Sequence, residues 1–150
     1  MAVFKRLATW RDQRNAIAQL NYRIDDLSND FRSEVAERNL KRGSDEYEQA
    51  YVTFRNEYDL STSEVEAIET LKMLSSARRW EVAVPQPPTD DHDESEYWSW
   101  NSSHGRHYLS QNGKRYIRHA VAEEMDILFR PYLSWAAIAI SIVSLIVSAL

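Results

Sequence analysis

The final stretch of the chain, Pro131 to Leu150, reads PYLSWAAIAISIVSLIVSAL and carries no Asp, Glu, Lys, Arg or His. Every charged residue lies upstream of it. A helix from Tyr132 to Leu150 would be roughly 28 Å long, about the thickness of a bilayer's hydrocarbon core. The run is apolar all round rather than along one stripe, and a globular domain rarely needs so long a charge-free helix. The expectation is a single membrane-spanning helix at the C-terminus, that is, a tail-anchored, single-pass membrane protein. The rival reading is a buried core helix.

The flanks favour the anchor. Tyr132 and Trp135 open the run, where amphipathic rings prefer the headgroup layer. Arg130 precedes them, with Arg118, Arg115 and Lys114 further upstream. This basic flank places the N-terminal bulk in the cytoplasm by the positive-inside rule. The serines are no obstacle, because a serine hydroxyl can bond to a carbonyl one turn back. Ala137, Ser141, Ser144 and Ser148 fall on one narrow face of small residues, the kind through which spanning helices self-associate.

Upstream of the tail the chain is strongly polar, and its 150 residues hold only three Gly. That composition suits long helices better than a sheet-rich core. There is no Cys, which excludes disulfides and thiolate metal sites. The N-terminal MAVFKRLATWRDQR acquires charge before an apolar core could form, so no secretory signal is expected. Residues 1–43 carry nine Lys or Arg against six Asp or Glu, a net of +3. Residues 44–84 carry four against nine, a net of −5, and residues 85–104 none against five. A basic segment followed by an acidic one suggests two elements lying against each other, and no face concentrates the basic charge that nucleic acid requires.

Trp10, Ile17, Leu20, Ile24, Leu27 and Phe31 follow the 3-4 spacing of a coiled-coil seam. They predict a helix over about 4–42, stopped at Gly43, with Lys41 and Arg42 suiting the helix dipole. Ser44 or Asp45 then caps a second helix with the aromatic stripe Tyr47, Tyr51, Phe54 and Tyr58. The Ser61–Glu64 capping-box pattern predicts a break before the helix resumes towards Trp80. Residues 1–84 therefore read as a cytoplasmic antiparallel helical hairpin. Its core is thin, so a third element in cis or trans is expected. Tyrosines tolerate a half-wet seam, which fits a protein–protein surface.

Residues 85–104 read as a Pro-rich and acidic linker. The run Asp90, Asp91, His92, Asp93 and Glu94 lacks the alternation and turn glycine of a calcium loop. Tyr97–Trp100 is abruptly aromatic: a short strand or docking segment on the hairpin, or a bilayer contact. The acidic run beside it favours packing on protein. His104 and His107 have no partners at zinc-ligand spacing. Residues 105–130 predict a juxtamembrane amphipathic helix, with Ser110 as its N-cap and Gly113 a destabilising residue in its first turn. Pro131 serves either as the first turn of the anchor or as a kink between two helices.

The expected architecture is thus all-α, with domains at 1–84, 85–104, 105–130 and 131–150. No phosphate loop, nucleophile elbow or zinc-protease motif is present, so enzymatic activity, cofactors, nucleic acid and small-molecule substrates are not expected. The leading functional reading is a membrane-anchored protein–protein interaction or scaffolding module, whose partners are the lipid bilayer and a protein or a second copy. The alternative is a small membrane-active effector that oligomerises through the Ala/Ser face of its tail. The span holds no ionisable group, which argues against an ion pathway.

Overall fold

The computed structural model of the chain describes residues 2–90, 93 and 95–148, without the side chains of 2–10 and of eight positions between 133 and 148. The fold is mostly helical. Its elements are α1 (Ala2–Glu37), α2 (Asp45–Arg79), β1 (Trp98–Asn101), β2 (Arg106–Leu109) and α3 (Gln111–Ser148).

α1 ends five residues short of the predicted stop. Asn39 takes the left-handed conformation at φ 49°, and the Leu40 amide returns to the Val35 carbonyl at 3.0 Å. This is the six-to-one bond of a Schellman cap, with Asn supplying the left-handed residue. Leu40 then buries its side chain. Gly43, at φ 88°, serves the connection rather than the cap. Ser44 is the N-cap of α2, its hydroxyl accepting from the Tyr47 amide.

α2 continues unbroken through Ser61–Glu64, where the sequence predicts a break. A capping serine needs non-helical backbone. Here Thr62 and Ser63 instead donate their hydroxyls back to the carbonyls of Tyr58 and Asp59, at 2.9 and 2.6 Å, a use compatible with a helix interior. The end of α2 repeats the cap of α1. Glu81 is left-handed at φ 55°, and the Val82 amide bonds to the Ala77 carbonyl at 2.9 Å. α1 and α2 run antiparallel: Phe31 meets Tyr47, Tyr51 and Phe54, and Arg23 approaches Glu57 at 3.8 Å.

The strands modify the all-α expectation. β1 and β2 form an antiparallel two-stranded sheet, with Trp98 opposite Leu109 and Trp100 opposite His107. Residues 106–109, which the sequence reading places in the 105–130 segment ahead of the Ser110 cap, are strand. An isolated hairpin is marginal in water, and this one is held by packing on α2 and α3. The core consists of Ala77, Trp98, Leu109 and Ile117, with Met73, Leu74, Val82, Val84, Tyr97 and Val121 packed around it.

Ser110 caps α3 as expected. Its hydroxyl accepts from the Gly113 amide at 3.1 Å and donates to the Glu96 carbonyl at 2.7 Å. Gly113 is a requirement of the packing rather than a weakness. A Cβ there would lie 2.2 Å from the Tyr97 carbonyl oxygen. α3 then runs through Pro131 as one helix to Ser148. Among the described residues, no helix is long and apolar enough to cross a membrane.

Candidate functional site

Three features offer themselves as sites: the outer half of α3, the α1–α2 seam, and the polar joint that fixes the β-hairpin to α2. α3 is anchored at its start, where Ile117 is fully buried and Lys114 is nearly so. Beyond Val121 every described side chain as far as Ser144 is exposed. Tyr132 is 68% exposed, Trp135 71%, Ile138 50%, Ile140 67% and Ile142 52%. This stretch is not buried in the chain's own core.

Arg130 lies at the boundary and pairs with Asp126 at 2.5 Å, one turn back and exposed to solvent. Ala137, Ser141 and Ser144 are likewise exposed. The Ser141 hydroxyl donates to the Ala137 carbonyl at 2.9 Å, and Ser134 does the same to Arg130 at 3.1 Å. Both hydroxyls are thereby satisfied within the helix, as a serine in an apolar setting must be. The Ser148 side chain lies outside the described residues.

In the seam, Ile17, Leu20, Ile24, Leu27 and Phe31 are all half-buried, as are Tyr47 and Phe54. Tyr51 and Tyr58 are each 36% exposed. The Trp10 side chain lies outside the described residues. Phe31 stacks on Phe54 with centroids 4.7 Å apart, and the Tyr47 and Tyr51 rings stack at 6.2 Å. No described side chain of α1 is fully buried, so the two helices share a seam open to water along its sides. A groove of about 140 Å³ follows one side, floored by Leu27, Phe31 and Phe54 and rimmed by Asp30, Glu34 and Glu57.

The polar joint was not visible in the sequence. On α2, Ser63 and Thr70 are buried on the side that receives the hairpin. Asn101 donates to the Ser63 hydroxyl at 2.9 Å and to the Glu66 carboxylate at 3.0 Å. The Leu109 amide donates to the Thr70 hydroxyl at 3.1 Å. The Lys114 ammonium reaches the half-exposed Glu69 at 2.5 Å. A buried lysine is tolerated only with such a partner. Each contact joins residues distant in sequence, so no local pattern signals it.

The histidines near the hairpin have structural partners. Nδ1 of His104 lies 2.6 Å from the Tyr108 hydroxyl, and the His107 ring packs edge-on to Trp100. Burial pushes the Tyr108 hydroxyl above its ordinary 10.0; the positive charge of Arg106 opposes this and the carboxylate of Glu66 adds to it. Among the described residues no group of three His, Asp or Glu side chains could hold a metal ion; Asp91, His92 and Glu94 lie outside them. An open hollow of about 450 Å³ is walled by Tyr97 and Tyr116, whose rings are 5.3 Å apart, with Arg115, His119, Glu96 and Glu123 at its edge. Its charges are mixed, and no nucleophile is paired with a base there. No family model, curated protein or solved structure matches this chain.

Proposed function

We propose that this protein is an interaction or scaffolding module held on a membrane through Pro131–Leu150, with its helical bulk on the cytoplasmic side. The observation that carries the proposal is the uncovered apolar stretch of α3. Tyr132, Trp135, Ile138, Ile140 and Ile142 stand open to solvent on a charge-free run. Full burial of a large aliphatic side chain is worth about 1.5–3 kcal/mol, and contiguous exposed apolar surface of this kind marks an interaction site. A bilayer covers such a helix on every side at once. The described residues alone contain no helix that could cross a membrane. The reading therefore joins their exposure to the sequence of the whole run, which stays free of charge as far as Leu150.

The α1–α2 seam supports the interaction half of the proposal. Its aromatic rings are half wet and the described part of α1 buries nothing fully, so a further helix from a second copy or another protein would complete its packing. The deciding experiment is fractionation of cells expressing the full chain and a version stopped at Arg130, each washed with alkaline carbonate. The full chain resists the wash and the shortened chain is released. A full chain that is itself released overturns membrane anchoring.

The alternative, an effector that oligomerises within the bilayer, is favoured by one observation. Ala137, Ser141 and Ser144 are open, and the Ser141 hydroxyl is already satisfied, so that side allows close helix approach without an unmet donor. Replacing Ser141 and Ser144 with Leu separates the readings. Crosslinked oligomers in vesicles disappear if this side drives assembly, and persist if the α1–α2 seam does.

A further inference from the structure

α2 and α3 run in the same direction through the base of the molecule. Glu69 meets Lys114 at one end, and Trp80 meets Phe129 at the other, their ring centroids 6.4 Å apart. Phe129 stands two residues before Pro131, where the charge-free run begins. The tertiary fold thus carries the C-terminal end of α2 to the level at which α3 becomes wholly apolar. That end is basic and aromatic: Arg78 and Arg79 form its last turn and Trp80 is its C-cap. Both arginines are exposed, and among the described residues neither has an ion-pair partner.

We propose that Arg78, Arg79 and Trp80 form a second contact with the membrane, docking on anionic phospholipid headgroups beside the anchor. The proposal rests on the anchored reading given above. Phe129 lies about one helical turn before Tyr132, roughly 5 Å along the axis. The headgroup layer is roughly 5–8 Å deep on each side of a bilayer. A ring in contact with Phe129 therefore sits within that layer, where indole is favoured, and the neighbouring guanidiniums reach lipid phosphates as bidentate donors.

Cations in a last turn also complement the helix dipole, which accounts for Arg78 and Arg79 but not for the position of Trp80. Four carboxylates lie nearby, Glu81, Glu123, Glu124 and Asp126. Asp126 is taken up by Arg130, and Glu123 faces His119 at 3.6 Å, further from the bilayer. Glu124 lies at the same height and Glu81 follows Trp80; both are exposed. Anionic headgroups are the occupant that suits two arginines, unpaired among the described residues, beside an indole.

Because the natural chain has no Cys, a single introduced thiol can be labelled without background. A fluorophore is placed on the full chain at Glu81→Cys, or at Tyr22→Cys as a control in the middle of α1. Each protein is reconstituted into vesicles of phosphatidylcholine alone or mixed with phosphatidylglycerol, and quenching by a headgroup-nitroxide lipid is read. The label at 81 is quenched in the anionic vesicles and the label at 22 is not. Adding Arg78→Gln and Arg79→Gln lowers the docked-to-undocked ratio at 81 by about fivefold per arginine, and high salt does the same. Carbonate resistance is unchanged. If the label at 81 is no more quenched than that at 22 while the full chain still resists carbonate, the second contact is refuted and the anchor stands. A chain that does not resist carbonate refutes the anchor, and this contact with it.

Discussion

Gly113 shows how one missing side chain can fix a joint. The Tyr97 carbonyl, which also accepts the Ser110 amide at 3.0 Å, occupies the space where a Cβ at 113 would go. Alanine is the better helix former by about 1 kcal/mol, but the clash is with backbone and cannot be relieved by a rotamer. Gly113→Ala should therefore destabilise the protein by about 2 kcal/mol, read as a lower thermal midpoint by circular dichroism; a gain in stability would mean the hairpin does not rest on α3. Tyr108 gives a pH signature from the same region. Burial raises its folded pKa above the ordinary 10.0, so the unfolded chain loses the phenol proton first. Its contribution to stability is intact below pH 10.0 and is lost as pH rises through the raised value. The Tyr108→Phe variant should show a shallower alkaline fall in thermal midpoint than the parent, and parallel curves would contradict the assignment.

The helices differ in what holds them. α2 buries Ser63, Thr70 and Ala77 against the hairpin and α3, whereas the described side chains of α1 have the half-wet seam. Helices of this length owe most of their stability to packing rather than propensity. Amide hydrogen exchange should accordingly be fastest in α1, with the slowest amides around Ala77, Leu109 and Ile117; uniform protection across α1 and α2 would reveal a partner on the seam. Element ends also show the reach of local reading. The Ser44 and Ser110 caps are legible because a capping hydroxyl acts within three residues. The stops at Asn39 and Glu81 are not, since left-handed positions held by residues other than Gly carry no strong sequence mark. The expected break at Ser61–Glu64 failed for a related reason: the same residue types that cap a helix can bond backwards within it. Which use prevails depends on what covers the helix.

Among the described residues the buried core cluster of Ala77, Trp98, Leu109 and Ile117 lies upstream of the tail. A chain stopped at Arg130 should keep the thermal midpoint of the full protein, because every described tail side chain is exposed; a large drop would show that the tail covers the base. The predominance of helix, the amphipathic stripes of α1 and α2 and the charge-free run after Arg130 were set by the sequence itself. They arise from period, propensity and charge, which act over a few residues and need no fold. The positions of these parts were decided only by tertiary structure. The hairpin docks through Asn101 to Ser63 and Glu66, the buried ammonium of Lys114 is compensated by Glu69, and Trp80 is carried to Phe129. Each of these contacts joins groups more than thirty residues apart. Polar groups that leave water must find partners wherever the fold brings them, and linear order does not record which partner that will be.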